Sequence, residues 1–270
     1  MRTFLCVLCV SVAMLAQDAA PERASVAFSD PSKPGHLRVG LMTGGITVRG
    51  YDGKEVIIES HARASRGRRR GEESTGGLRR IPQNATGLNV EEQNNVMKIS
   101  VSSMNNAVDL IVQVPVNTSV KLSAQNDGDI KVERVRGEVE VSNLNGHVTL
   151  NNISGSVVAH ALNGNLIVTM DEVTAGKAMS FTTLNGKIDV TLPASTKARL
   201  SMRTDNGEIL SDFDVQMDAT PAKTSKVEDG RSKGGAYRLT MEKMIYGTIN
   251  GGGPDFLFKS FNGSIYIRKK

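Results

Sequence analysis

Residues 144–168 read LNGHVTLNNISGSVVAHALNGNLIV, and they hold two Leu-Asn-Gly tripeptides 18 positions apart. Two and four residues after each glycine stand apolar side chains, Val148 and Leu150, then Leu166 and Val168. That alternation is the period of a strand with one buried face. Between the two tripeptides, Gly155 begins a weaker copy with Val157 and Ala159. One unit of about 18 residues therefore contains two corners and two short strands.

The same pattern extends in both directions. Asn-Gly recurs at Asn145-Gly146, Asn163-Gly164, Asn185-Gly186, Asn206-Gly207, Asn250-Gly251 and Asn262-Gly263, and Asn126-Asp127-Gly128 precedes them. The glycines from Gly128 to Gly207 are spaced by 18, 18, 22 and 21 residues. Ile130 and Val132, Ile188 and Val190, and Ile265 and Ile267 follow their glycines at the same offsets, as Ile46 and Val48 follow Gly44. Residues 112–132 also align with residues 190–210, matching Pro115 to Pro193 and Gly128 to Gly207. Proline cannot donate to a strand ladder, so both prolines belong at a corner or a strand end.

Asn-Gly is also the strongest short hairpin signal, because a type I′ turn needs positive φ at both central residues. An antiparallel meander is therefore the rival reading. Regular spacing favours stacked coils, in which each Asn-Gly lies over the one before and asparagines bond amide to amide. The expected fold is all-β, a single-stranded parallel β-helix with coils of about 18–22 residues and corners at Gly128, Asn145, Gly146, Asn163, Gly164, Asn185, Gly186, Asn206, Gly207, Asn262 and Gly263. On this reading Gly164 sits at a positive-φ corner. Tryptophan is absent and aromatics make up 4% of the chain, which suits a narrow aliphatic interior. Phe256, Phe258, Phe261 and Tyr266 gather near the end, where they are expected to cap the last coils.

Three stretches stand outside the repeat. Phe4 to Ala16 is an apolar run behind Arg2, with small residues up to Ala20, and reads as a signal peptide over residues 1–20, with the solenoid domain spanning 21–270. The rival reading is an uncleaved N-terminal anchor, against which the run is short of the ~20 residues a span needs. Both cysteines, Cys6 and Cys9, lie in that run, so the remainder has no thiol for a disulfide or a metal site. Residues 62–88 form an insertion, and between 63 and 80 it holds seven arginines against two glutamates. That local net of +5 equals the formal charge of the whole chain, so the basicity belongs to one loop. Arg66, Arg68, Arg69, Arg70, Arg79 and Arg80 are its anion-binding candidates, set against a simple solvated loop. Residues 216–235 are polar and aperiodic, and are expected to be a loop between coils.

No phosphate loop, nucleophile elbow or zinc-protease motif is present. His36, His61, His147 and His160 are scattered, without ligand-like spacing, so neither metal nor other cofactor is expected. Export and the lack of interleaved aromatics argue against nucleic acid as a partner. Asp127, Asp129, Asp205 and Glu208 fall near equivalent corners and are the candidates for a carbohydrate-active enzyme, lyase or hydrolase, built on a β-helix. Turn carboxylates more commonly cap and solvate corners, which favours a chain without catalytic residues.

Strand-Pro at Val114-Pro115 and Leu192-Pro193, followed by repeated Asn-Gly and alternating valine and isoleucine, resembles the DUF4097 family of provisionally assigned adhesins. The resemblance runs from about Leu37 to Ile267, interrupted by the arginine-rich insertion. It implies a bacterial envelope-associated β-solenoid, located in the periplasm, at the cell surface or outside the cell. It further implies an interaction module for a protein or glycan partner of the envelope or surface. Separately, no segment after the leader-like run is long and apolar enough to be transmembrane, so no such segment is expected in the mature chain. The family carries no established active-site residues to transfer.

Overall fold

The computed structural model describes residues 22–63, 86–102, 107–218, 225–229, 237–241 and 244–270. In chain order its strands are β1 (Glu22–Ala27), β2 (Gly35–Thr43), β3 (Ile46–Tyr51), β4 (Glu55–Ala62), β5 (Leu88–Gln93), β6 (Val96–Val101), β7 (Val108–Pro115) and β8 (Thr118–Asn126). They continue through β9 (Ile130–Glu133), β10 (Arg136–Asn145), β11 (Val148–Asn163), β12 (Leu166–Val173), β13 (Met179–Asn185), β14 (Ile188–Leu192), β15 (Ala198–Asn206) and β16 (Ile209–Ser211). The last are β17 (Gln216–Met217), β18 (Ser225–Asp229), β19 (Tyr237–Met241), β20 (Ile245–Ile249), β21 (Asp255–Asn262) and β22 (Ile265–Lys269).

Two parallel stacks face one another. The first runs β6, β2, β8, β10, the second half of β11, β13, β21 and β15. The second runs β7, β3, β9, the first part of β11, β12, β14, β22 and β16. One strand from each stack, joined at a corner, makes one coil, and the described residues form eight such coils. Inward side chains line up from coil to coil. Val39, Leu122, Val141, Ala159, Phe181, Phe258 and Met202 form one buried row, and Ile46, Ile130, Val148, Leu166, Ile188 and Ile265 form a row opposite. The burial alternates residue by residue, as the sequence periodicity requires.

The all-β class is therefore what the chain forms, but coil order in space is not coil order in the sequence. The last coil, β21 and β22, lies between β13–β14 and β15–β16, with parallel ladders on both sides. Near the other end, β2 and β3 lie between β6–β7 and β8–β9. Strand direction is also mixed. Antiparallel β5, β4 and β1 close one end, and at the other β20 pairs antiparallel with β15 and β17 with β20. These strands occupy ladder edges that would otherwise be open to pairing with another chain.

Two expectations from composition are corrected. Phe256 and Phe258 are fully buried in the seventh coil instead of capping the stack, and Phe258 stacks on Phe181 with ring centroids 5.1 Å apart. Ala159, beside Phe181 in register, leaves room for these rings. Phe261 is exposed and Tyr266 half-buried. The stretch 216–235 is not featureless, since it contributes β17 to the main sheet and β18 to an antiparallel pair with β19. Residues 1–20 and Arg66, Arg68, Arg69, Arg70, Arg79 and Arg80 lie outside the described residues. No helix among the described residues is long and apolar enough to cross a membrane.

The end of the inserted coil is clasped by Asp171, which accepts hydrogen bonds from Lys270 Nζ at 2.6 Å and Asn152 Nδ2 at 3.1 Å. The Lys270 bond, partly opposed by burial, holds the Asp171 carboxyl below its ordinary value of 3.8. Its contribution is then present above that ordinary value and is lost as pH falls through the lower folded one. Both side chains are well exposed, so the contribution is under about 1 kcal/mol. The protein is expected to unfold at higher temperature than Asp171→Asn near neutral pH, with the gap closing as pH falls well below 3.8. A gap that persists in acid would assign the difference to something other than this ion pair.

Candidate functional site

The Asn-Gly corners build one edge of the stack. Asn206 Nδ2 donates to Asn262 Oδ1 at 2.7 Å, Asn262 to Asn185 at 2.7 Å, Asn185 to Asn163 at 2.8 Å, Asn163 to Asn145 at 2.8 Å and Asn145 to Asn126 at 3.3 Å. The amide ladder expected from the sequence is thus continuous, but it is exposed, so it organises a surface and offsets no burial. Asn262 enters it between Asn185 and Asn206, following the spatial order of the coils.

A second ladder runs through the residue after each glycine. His147 N–H donates to Asp129 Oδ1 at 2.8 Å, Asn165 N–H to His147 Nδ1 at 3.0 Å and Lys187 N–H to Asn165 Oδ1 at 3.0 Å. His147 is therefore an acceptor in a corner ladder. Inside the corners, Thr183, Thr204 and Ser260 donate hydroxyls to the carbonyls of Gly164, Gly263 and Gly186. At the first coils Arg63 holds both oxygens of Asp109 at 2.6 Å and reaches the Asp127 carbonyl at 2.6 Å.

Crowding between coils acts at every corner glycine of the asparagine ladder, and at Gly146, Gly186 and Gly263 a positive φ acts with it. A Cβ on Gly164 would lie 2.0 Å from the Gly146 carbonyl oxygen, and Gly164 is not among the positive-φ residues. The positive-φ explanation for Gly164 is thus replaced by close backbone approach. Among the described Asn-Gly pairs only Asn250-Gly251, with φ of 50° and 84°, has the left-handed pair that a type I′ turn demands.

Directly before the ladder asparagines stands a row of apolar side chains in four adjacent coils: Leu144, Leu162, Leu184 and Phe261. Leu144, Leu184 and Phe261 are 42%, 41% and 47% exposed. Leu162, Leu184 and Phe261 of this row, with His160, Thr182 and Lys259 beside them, border a groove of about 480 Å³. His160 Nδ1 and Thr182 Oγ1 are 2.8 Å apart there. A signal for this row existed in the sequence. In 157–162 the inward positions are Val157, Ala159 and Ala161, so Leu162 is apolar in the outward phase.

The acidic candidates do not converge. Asp127 and Asp129 belong to the third coil and Asp205 and Glu208 to the eighth, roughly 24 Å away at about 4.8 Å per coil. A site drawing on both groups is therefore excluded, because hydrolytic carboxylate pairs need separations of about 5–10 Å. Each has a local role or position: Asp127 faces Arg63, Asp129 accepts the His147 amide, Asp205 pairs with Arg203 and Glu208 lies on the corner. Among the described residues no group of three or more His, Cys, Asp or Glu is placed to hold a metal.

The fold and its edge define an all-β repeat protein whose regular side chains serve the stack. Residues 126–241 match the Toastrack DUF4097 family, the same family that the Pro and Asn-Gly pattern resembles. Two crystal structures align with the chain at low similarity. A protein from Clostridium sporogenes provisionally assigned to cell adhesion is 12% identical, over 93% of this chain and 100% of that one, with a TM-score of 0.42. A provisionally assigned adhesin from Bacteroides fragilis is 11% identical, over 93% and 97%, with a TM-score of 0.37. No curated protein matches the chain.

Proposed function

We propose that this chain is an exported, non-catalytic, adhesin-like module that holds an envelope or surface partner on the face carrying Leu144, Leu162, Leu184 and Phe261. The observation that carries the reading is this outward apolar row, set on a rigid parallel stack beside an exposed amide ladder. Soluble faces rarely align large apolar side chains in consecutive strands without a partner. Export rests on the leader-like residues 4–16, and the mature domain is taken as 21–270, a single solenoid with the arginine-rich insertion emerging after β4. The corner residues Asn145, Gly146, Asn163, Gly164, Asn185 and Gly186 serve the fold on this reading. The separation of the four corner carboxylates speaks against the enzymatic alternative.

The test is retention of the purified mature chain on isolated cell envelopes. Leu144→Glu, Leu184→Glu and Phe261→Glu together are expected to lower retention at least about tenfold, the equivalent of about 1.4 kcal/mol. Thr149→Glu with Thr169→Glu, on the opposite stack, should leave it unchanged. Equal retention by the triple variant would sink the proposal, provided its thermal unfolding matches the parent. A glycan-cleaving activity abolished by alanine at Asp127, Asp129, Asp205 and Glu208 would restore the enzyme reading.

A further inference from the structure

On the side away from the Asn-Gly edge, a groove of about 890 Å³ crosses the coils. The segment 28–36, the 51–54 loop and the 174–177 segment contribute to its walls, and its floor includes Ser119, Gly137 and Ser156. Successive outward residues His36, Ser119, Glu138 and Ser156 are in register on β2, β8, β10 and β11, so this floor runs along the stack axis. Four strands at about 4.8 Å give it a length of roughly 14 Å between the outer two.

Its charge is divided unequally. The carboxylates are already engaged: Glu138 with Lys177 at 2.9 Å, Asp52 with Arg134 at 3.8 Å and, just outside, Asp30 with Lys33 at 2.9 Å. Arg136 and Lys54 line the same groove without a direct ion pair among the described residues, and Arg136 adds only a long-range attraction to Asp171, whose carboxylate is bonded to Lys270. The Asn117 side-chain amide, which also lines it, has no hydrogen-bond partner among them either. Two cationic side chains and an amide donor thus line a concave, elongated surface. Hydroxyls of Ser32, Ser156 and Thr174 lie around them.

We propose that this groove binds a segment of an acidic polysaccharide, with Arg136 and Lys54 meeting its carboxylate or sulfate groups. Guanidinium and ammonium groups favour anions by charge-assisted hydrogen bonds. Asn117 and the serine and threonine hydroxyls suit the sugar hydroxyls between the charges. The carboxylates of Glu138 and Asp52, each held by a cation, can accept hydrogen bonds from sugar hydroxyls. Single-stranded nucleic acid needs a run of ring platforms for its bases, and the groove offers Tyr51 and His36, since Phe28 is buried. The site is separate from the apolar row, so its failure leaves the envelope-retention result untouched.

The experiment is affinity electrophoresis of the mature chain through gels holding polygalacturonate, heparin or neutral dextran. Retardation is expected with at least one of the two acidic polymers and not with dextran. It should weaken as ionic strength rises from about 0.05 M to about 0.5 M. Arg136→Gln combined with Lys54→Gln should lower affinity at least about tenfold. Lys131→Gln with Arg268→Gln, on the other stack, should not. A preference for polygalacturonate identifies carboxylate sugars as the ligand, and a preference for heparin identifies sulfated ones. The proposal falls if neither acidic polymer is retarded, if the groove variant binds as well as the parent, or if single-stranded DNA competes more strongly than either polymer.

Discussion

Deletion of residues 254–270 is expected to abolish cooperative folding of everything beyond β13, and not merely to trim an end. In a solenoid whose coils follow one another in order, loss of the last coil exposes one new edge. Here it empties a slot. β13 and β14 lose their partners on one side, and β15 and β16 lose theirs on the other. Four fully or almost fully buried core residues disappear with it, Phe256, Phe258, Ile265 and Ile267, and Phe181 loses its stacked ring. Each large core side chain is worth about 2–5 kcal/mol on truncation, so the total exceeds the stability of an ordinary domain. Hydrogen exchange should show protection kept in β8 to β12 and lost in β15 and β16. Undiminished protection of β15 in the truncated chain would contradict the intercalated placement.

Gly164→Val should lower stability by about 3 kcal/mol or more, because its Cβ would sit 2.0 Å from the Gly146 carbonyl oxygen. For a chain of this size that is a fall of roughly 6–12 °C in Tm. The informative comparison is Gly176→Ala. Gly176 has φ of +73°, and a Cβ added there would meet nothing within 4 Å, so it reports conformational strain alone. Its cost should be about 1–2 kcal/mol. If Gly164→Val cost no more than Gly176→Ala, crowding between coils would not be the reason for the corner glycines.

Much of this architecture was legible because a strand with one buried face writes its period into the sequence. Ile130 and Val132, or Ile188 and Val190, point inward where the offset from Gly128 or Gly186 says they should. Their corners follow from spacing. What the periodicity does not encode is which coil neighbours which, since backbone ladders are alike between any two strands. The insertion of β21 and β22 depends on shapes, Phe258 against Phe181 with Ala159 beyond, and no local pattern announces that match. Gly164 shows a similar limit: the sequence demands a residue without a side chain there, but both left-handed backbone and close approach make that demand. Leu144, Leu162 and Leu184 were visible as parts of repeated tripeptides, and their outward phase marks the face only when counted against Val141, Ala161 and Thr183.

The inserted coil also sets a timetable. Synthesis delivers a chain from its N-terminal end, so β13 to β16 emerge well before β21 and β22. Coils with such similar apolar pairs could pair directly, β14 on β16, and that premature closure would have to reopen to admit the late arrival. Until then two sets of unpaired strand edges coexist in one nascent molecule, the state most exposed to pairing with a neighbour. Long-range parallel pairing is intrinsically slow. The yield of correctly folded protein should therefore depend on how quickly the final residues follow the middle ones, and on whatever keeps that gap open while it waits.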